Sequence, residues 1–306
     1  MQRAIVEVRY GAGRGIKRIL SAGDTVRVGR KPRADWIIDD ERMSGLHFEI
    51  AFDGARCEVR DLKSADGTLV SGQRIEAPAE VGNGGWIRAG ETDFMVYLEA
   101  ATPPEEDEID KQLAADPDDL EPMEALWVED NRDNLVRTQA TRAARREAAL
   151  ERLRQVEGPL YAVLDAARND RILTLLRESV ETYRSLYEGI EGDALEHVAP
   201  HLVELPAGSA LLERIVREGW GRRWGIFIEY PRSFKELRGH LRRFLMVADA
   251  DTRRRFYFRF YDPGVLRRFL PASTPKQRAD LFGEITAFVV ENERGHVTRF
   301  LAEEGA

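Results

Sequence analysis

The sequence predicts a multi-domain protein in which an all-β sandwich over residues 1–98 precedes a mixed α/β domain over residues 158–306. Short runs that alternate apolar and polar residues, separated by glycine and aspartate turns, fill the first region. In the last region strand-like and helix-like runs follow one another, which is typical of a mixed α/β domain. An acidic, proline-containing segment lies between them, and 306 residues are enough for two domains.

Composition narrows the classes of function. Hydrophobic residues make up 43% of the chain, and the net charge of -8 makes nucleic acid a poor partner. The single cysteine, Cys57, excludes a disulfide within the chain and fits a reducing compartment. The N-terminus lacks the apolar core of a signal peptide, and no run approaches the roughly 20 apolar residues of a membrane span. We therefore expect a soluble, cytoplasmic protein.

The alternation in the first region is clearest over Ala4–Tyr10, His47–Ile50 and Thr92–Leu98, with Asp53-Gly54 and Asp66-Gly67 as turns. Such spacing predicts the short antiparallel strands of a sandwich, whose loops commonly carry function.

The middle of the chain changes character twice. Residues 99–133 are predicted to be an acidic linker, because 101–110 (ATPPEEDEID) hold two prolines and five carboxylates with one isoleucine. Residues 134–157 are predicted to form a basic helix that Gly158-Pro159 ends.

Capping residues and apolar spacing place the elements of the last region. The predictions are a strand over 160–164, a helix over 170–178, a helix capped by Ser209, a strand over 224–228, a helix capped by Ser233, and an aromatic strand over 255–261 that ends at Asp262-Pro263.

Three clusters in the first region form an ordered set: Gly29-Arg30, Ser44-Gly45-Leu46-His47 and Ser64-Ala65-Asp66-Gly67-Thr68. In order and spacing they resemble the forkhead-associated (FHA) domain, and the resemblance covers nearly the whole region. That family binds phosphothreonine peptides through loops at one end of a β-sandwich.

The resemblance implies roles for individual residues. Arg30 and Ser44 stand where the family supplies an arginine fork and a hydroxyl to the phosphate dianion. The resemblance implies a phosphopeptide site formed by Arg30, Ser44, Asp66 and Thr68, with structural roles for Gly29, His47 and Gly67, of which His47 braces the loops from inside.

The sequence departs from the family pattern at Gly45, Ala65 and Asp66. Asp66 replaces an asparagine, so it keeps an acceptor, loses an amide donor and adds negative charge near a phosphate site. Two interpretations of Arg30 stay open: it binds phosphate, or it is a surface arginine paired with Asp39 or Asp40. Protein binding is predicted in either case.

A second set of motifs spans about residues 158–270: Leu160–Arg168, Ser185–Gly189, Ala199–Val203, Gly219–Ile226, His240–Phe244 and Phe258–Pro263. In this order they resemble the adaptor, or effector-chaperone, domain of bacterial type VI secretion systems. Such adaptors bind a toxic effector in the cytoplasm and help to place it on the valine-glycine-repeat (VgrG) spike. FHA domains also occur in these secretion clusters.

The adaptor motif includes Trp220, Trp224, Arg259, Tyr261, Asp262 and Pro263. Its charges either sit at the carboxyl end of a strand, where α/β sites often lie, or form an internal Arg–Asp ion pair that fixes a strand-to-helix turn. We favour the ion pair. The two tryptophans are either interface anchors or core residues.

No residue set predicts catalysis, a metal or a cofactor. Pro200 separates His197 from His201 and disfavours a shared helical face, and Cys57 has no neighbouring histidine. The leading hypothesis is a non-enzymatic type VI adaptor that binds an effector and the VgrG spike. The alternative is a phosphothreonine-reading signalling scaffold, and a toxin enzyme is the weakest hypothesis.

Overall fold

The computed structural model describes residues 2–105, 111, 114, 122–189, 194–248 and 255–302. The chain divides into two compact units, one formed by Met1–Pro103 with Arg177–Val180 and the other by Pro104–Leu176 with Glu181–Ala306. The predicted fold class is confirmed, because a β-sandwich precedes a region of helices and strands.

Two sheets form the sandwich. Its strands are β1 (Ala4–Tyr10), β2 (Lys17–Leu20), β3 (Thr25–Gly29), β4 (Trp36–Ile37), β5 (Phe48–Phe52), β6 (Cys57–Asp61), β7 (Leu69–Val70), β8 (Gln73–Arg74), β9 (Ala79–Val81), β10 (Trp86–Ala89) and β11 (Thr92–Leu98). Within the described residues the strand orders are β2-β1-β11-β10-β7-β8 and β4-β3-β5-β6-β9. Only β3 and β4 pair in parallel among these strands.

Alternate residues of the strands fill the sandwich core, as the period-two pattern predicts. Phe48, Ile50 and Phe52 of β5 are buried. The rings of Trp36 and Phe48 meet Phe94 edge to face, with centroids 5.5 and 5.3 Å apart. This packing fixes the frame on which the loops between strands are held.

Helix α1 (Pro122–Arg154) corrects the predicted linker, because it begins at Pro122 rather than at residue 134. Val128 and Leu135 are buried, so apolar packing extends the helix toward its N-terminus. Much of the predicted linker before Pro122 lies outside the described residues. Within the described part, no helix combines the length and apolar composition that crossing a bilayer requires.

The second unit is built on an antiparallel sheet. Its strands are β12 (Leu160–Asp165), β13 (Tyr183–Ser185), β14 (Pro200–Leu205), β15 (Gly225–Glu229), β18 (Ala287–Glu291) and β19 (Val297–Leu301), beside a hairpin of β16 (Met246–Ala248) and β17 (Arg255–Tyr257). The order is β13-β14-β12-β15-β18-β19 in the described residues, and every neighbouring pair is antiparallel.

Helices cover both faces of this sheet. They are α1, α2 (Arg171–Arg177) and α3 (Ala210–Gly219) on one side, and α4 (Phe234–Arg242), α5 (Pro263–Ala272) and α6 (Pro275–Phe282) on the other. Leu160 and Leu164 of β12 face the first core, whereas Tyr161 and Val163 face the second. The result is a three-layer arrangement with an apolar core on each face of the sheet.

The caps predicted from the sequence are confirmed. Ser209 accepts the N–H of Leu212 at 3.2 Å, and Ser233 forms a reciprocal capping box with Glu236. The predicted strand over 255–261 is wrong in length, because β17 ends at Tyr257. The N–H of Asp262 donates to the carbonyl of Arg259 at 3.0 Å, which makes a turn rather than a strand.

Candidate functional site

Three loops meet at one end of the sandwich, and backbone contacts hold them together. The N–H of Arg30 donates to the carbonyl of Ser44 at 3.0 Å, and the N–H of Lys31 donates to that of Gly45 at 3.2 Å. A Cβ on Gly29 would lie 2.4 Å from the Gly45 carbonyl oxygen, so this close approach requires glycine. We call the surface formed by residues 30–33, 42–45, 64–67 and Arg74 the loop face.

His47 is fully buried beneath the loop face. Its Nδ1 accepts the N–H of Ser44 at 3.0 Å, and its Nε2 lies 3.1 Å from the carbonyl oxygen of Gly67. Because a backbone N–H must donate, Nδ1 carries the lone pair and Nε2 carries the proton. The imidazole therefore joins two loops, in the bracing position that the FHA resemblance implies.

Ser44 and Arg30 stand side by side on the loop face. The half-buried hydroxyl oxygen of Ser44 accepts the N–H of Ala65 at 2.9 Å, which leaves its own O–H to donate. Arg30 donates through Nε to the carbonyl of Met43 at 3.2 Å, and this bond orients the rest of its guanidinium. The outer N–H groups are thus positioned for an anionic acceptor.

In the part of the chain that the structure describes, Arg30 forms no ion pair with Asp39 or Asp40, so the interpretation of Arg30 as their partner is wrong. The carboxylate of Asp40 is buried and accepts the N–H of Arg42 at 2.9 Å and the hydroxyl of Thr92 at 2.7 Å. Burial opposes ionisation of Asp40, but these bonds together hold its pKa below the ordinary value. Asp40 thus has a structural role.

Thr68 needs a correction as a ligand contact, because it is fully buried. Its hydroxyl donates to Asp61 at 2.7 Å, and the hydroxyl of Ser64 donates to the same oxygen at 2.5 Å. Burial opposes ionisation of Asp61, yet the two hydroxyl bonds, the backbone N–H of Ser64 and the nearby His47 together lower the pKa of this carboxyl. Thr68 therefore shapes the loop from inside.

Asp66 is exposed on the loop face, 3.5 Å from the guanidinium of Arg42. This neighbour partly offsets the negative charge by which the sequence departs from the FHA pattern. Gly67 adopts φ +75°, and a Cβ there would lie 2.5 Å from the guanidinium carbon of Arg74. Arg74 therefore packs directly over the loop.

The loop face also contains basic side chains that the sequence analysis did not assign to the phosphopeptide site. Arg33 comes within 3.3 Å and Lys31 within 3.0 Å of where a Cβ on Gly45 would lie. Together with Arg42, beside Asp66, and Arg74, beside Gly67, they make the loop face basic. The run Arg30-Lys31-Pro32-Arg33 was the available signal. The loop face can thus attract an anionic ligand.

In the second unit the two tryptophans of the adaptor motif belong to the core, so the interface-anchor interpretation is wrong. Trp220 and Trp224 are both buried. The indole N–H of Trp220 donates to the Gly295 carbonyl at 2.8 Å. The ring of Trp224 lies so close to Gly219 that a Cβ there would be 2.4 Å from it.

Asp262 organises the start of α5, with Pro263 in its first turn. Its carboxylate accepts the N–H groups of Gly264 at 2.8 Å and Val265 at 3.2 Å. It also pairs with Arg223 at 2.5 Å and with Arg168. Burial opposes ionisation, but these partners lower the pKa of Asp262. The favoured structural interpretation of this carboxylate agrees with these contacts.

Arg259 pairs with the buried Asp165 rather than with Asp262. Tyr261 is buried, its hydroxyl lies 3.1 Å from that of Tyr257, and burial raises its pKa to about 12. Arg259 and Asp262 lie just beyond β17, which ends at Tyr257, and each is held in an ion pair with another residue of the second unit.

Other side chains that could act as nucleophiles, bases or metal ligands are buried in the two units. Cys57 is buried, and burial raises the pKa of its thiol to about 12. His201 is buried, with Nδ1 2.9 Å from the carbonyl oxygen of Ala199. Among the described residues no cluster of three or more His, Cys, Asp or Glu side chains is arranged to hold a metal ion.

Comparison with known proteins agrees with the geometry of the first unit. Residues 26–90 match the FHA domain. The resemblance inferred from the three clusters is thereby confirmed, and the first unit has an FHA-like sandwich. Residues 160–280 match a family described as a domain of unknown function, DUF4123.

The individual relatives align with about a third of this chain or less. The glycogen accumulation regulator GarA of Mycolicibacterium smegmatis is 31% identical over 87 residues, which are 28% of this chain and 54% of that protein. The chain thus spans about half the length of this curated relative. The FHA domain of the Chlamydia trachomatis CT664 protein is 28% identical over 31% of this chain and 96% of its own, with a TM-score of 0.30. Mycobacterium tuberculosis EmbR, solved with a low-affinity phosphopeptide, is 26% identical over 33% of this chain and 26% of its own, with a TM-score of 0.29.

Proposed function

We propose that this protein is a non-enzymatic adaptor whose sandwich binds a phosphothreonine-containing segment of a partner protein. The observation that carries the proposal is the pair formed by Arg30 and Ser44, which a 3.0 Å backbone bond holds together on a loop face that carries further basic side chains. The match of residues 26–90 to the FHA domain supports it.

The chemistry follows from the groups on the loop face. A phosphothreonine carries roughly -1.5 to -2 charges near neutral pH and three acceptor oxygens. The outer N–H groups of Arg30 and the hydroxyl of Ser44 are donors of the kind such a dianion needs. Arg42 offsets Asp66, so the carboxylate weakens the attraction for phosphate without abolishing it.

Calorimetry with a phosphothreonine peptide and its unphosphorylated counterpart tests this function. The phosphopeptide should bind the full chain, and Arg30→Ala should abolish the preference. Arg56→Ala is a matched control, because Arg56 is exposed and lies just before β6, whereas the loop over residues 64–67 follows the opposite end of that strand. Equal affinity for the two peptides would refute the proposal.

For the second unit we propose the role of an effector-binding adaptor domain of a type VI secretion system. Support comes from the ordered motifs over residues 158–270, which include Trp220 and Asp262. In this function the unit binds a toxic effector in the bacterial cytoplasm and aids its loading onto the VgrG spike. Co-purification with an effector encoded beside this chain is the test, and unchanged delivery without residues 158–306 would rule the role out.

Two binding sites on one chain would act together. When one site holds its partner, the second meets its own at a raised effective concentration, and the connecting segment sets the reach. The expected result is that loss of Arg30 lowers effector delivery partially, whereas loss of the second unit abolishes it.

The alternative function is a phosphothreonine-reading signalling scaffold. The 31% identity to GarA, which is named a regulator, favours it. The two functions differ in one outcome. A scaffold requires phosphopeptide binding but no secretion partner, so effector delivery that is independent of this chain would favour the scaffold.

A further inference from the structure

The second unit contains a cleft of about 850 Å³ with a strongly basic lining. Arginines reach it from four places, namely α1, the loop after α3, α5 and the turn between β18 and β19. Six of them are Arg142, Arg145, Arg146, Arg267, Arg268 and Arg294. Carboxylates are fewer, with Glu105, Glu291 and Glu293 on the lining.

The floor of the cleft is held by buried polar contacts. The indole N–H of Trp220 donates to the Gly295 carbonyl at 2.8 Å. The carboxylate of Glu291 is buried and accepts the backbone N–H groups of Gly221 and of Arg223, the latter at 2.8 Å. These contacts join the loop after α3 to β18 and the following turn, so the floor of the cleft is preorganised. The two N–H groups also partly compensate the negative charge of Glu291.

Contacts with neighbouring residues hold individual arginines of the cleft in place. Arg268 donates through Nε to the Gly264 carbonyl at 3.0 Å, which directs its remaining N–H groups outward. A Cβ on Gly295 would lie 3.1 Å from the Cδ of Arg145, so the stem of Arg145 rests on the turn. In the described part of the chain, the side chains of Arg145 and Arg294 form no ion pair.

We propose that this cleft binds an acidic segment, rich in Asp and Glu, of a partner protein. Guanidinium groups match carboxylates in a two-pronged geometry, and arginines from several elements suit a ligand that carries several carboxylates. The cleft belongs to the second unit and does not depend on the loop face for its charge.

Nucleic acid fits this surface less well. The chain has a net charge of -8, and Glu293 on the cleft lining is 91% exposed in its side chain. An exposed carboxylate repels a continuous phosphate backbone, whereas a peptide can place an uncharged residue or an N–H beside it. The observations therefore favour an acidic polypeptide.

Fluorescence anisotropy of the full chain with fluorescein-labelled decaglutamate tests the proposal. Binding should weaken as sodium chloride rises, because exposed charges are screened. The double variant Arg145→Glu with Arg294→Glu should bind about tenfold more weakly or worse, since reversal replaces attraction with repulsion. The milder pair Arg145→Gln with Arg294→Gln should show the same direction if the reversals disturb folding.

The control is Arg232→Glu with Lys276→Glu, which makes the same change in net charge at exposed positions outside the cleft. This control should retain the affinity of the parent chain. Equal weakening by control and cleft variants would overturn the proposal, because the effect would then reflect net charge alone.

Two competitors separate the ligand classes. Oligothymidylate and tripolyphosphate should each displace labelled decaglutamate less effectively than unlabelled decaglutamate. Stronger displacement by either would overturn the assignment in favour of a phosphate ligand. The two proposals fail separately, because the effect of Arg30→Ala on phosphothreonine preference tests the loop face, whereas the effect of Arg145→Glu with Arg294→Glu on decaglutamate binding tests the cleft.

Discussion

The Nε2 of His47 lies 3.1 Å from the carbonyl oxygen of Gly67, inside the sandwich and beneath the loop face. Gly67 has φ +75°, so the imidazole holds the loop at a turn whose backbone conformation favours glycine. The opposite ring nitrogen accepts the N–H of Ser44. One buried side chain thus connects the loop that holds Ser44 to the loop that holds Asp66 and Gly67.

We expect His47→Phe to destabilise the first unit, because two buried backbone groups lose their partner. Each unsatisfied group costs about 1–3 kcal/mol. Urea unfolding followed by circular dichroism measures the loss. An unchanged midpoint would show that water or a shifted loop satisfies both groups.

Asp61 should make the first unit sensitive to acid. Its pKa is lowered in the folded state, so the carboxylate stabilises the fold above the ordinary value of 3.8, and this stabilisation is lost as the pH falls through the lowered pKa. Thr68→Val removes one hydrogen-bond donor to Asp61. It should therefore reduce stability at neutral pH and make the loss of stability at acid pH smaller. The midpoint of urea unfolding, measured from about pH 2 to about pH 7, checks this.

Serine is the matched control at position 68, because Thr68→Ser keeps the hydroxyl that donates to Asp61. The serine variant should retain the pH dependence of the parent chain. If valine and serine give the same pH profile, the hydroxyl bond does not control the titration of Asp61.

Asp262→Ala should destabilise the second unit strongly. The change removes the N-cap of α5 and leaves Arg223 without its carboxylate, while Arg168 keeps only its longer 3.6 Å contact with Asp165. Removing one partner of a buried pair typically costs about 3–5 kcal/mol, and the half-exposed arginines should place the loss near the lower value. Thermal unfolding is the measurement, with the exposed Asp280→Ala as control. Equal stability of the two variants would contradict the structural role.

Cys57 should react slowly with alkylating reagents in the native state. Burial raises its thiol pKa to about 12, so the reactive thiolate is scarce near neutral pH, and reagents cannot reach it. Iodoacetamide labelling followed by mass spectrometry should show protection that urea removes. Rapid labelling of the native chain would indicate that the β5–β6 region opens readily.

Local patterns in the sequence were sufficient for much of the fold. Period-two alternation predicts the sandwich strands because side chains of a strand alternate between core and solvent. The caps at Ser209 and Ser233 were predictable because a cap bonds to an N–H only three residues away. Arg30 and Ser44 were identified because ordered clusters accompany the loops.

Contacts between distant residues were decided only by tertiary structure. Thr68 reads as a polar loop residue, yet packing buries it against Asp61. The partner of Arg259 is Asp165, 94 positions earlier, rather than the nearby Asp262. The basic cleft likewise assembles arginines between positions 142 and 294. By itself the sequence determined the elements and the order of the sites, since those depend on short-range hydrogen bonds and periodic burial. Only packing decided which charges meet, because a side chain's partners depend on where the sheets and helices place it.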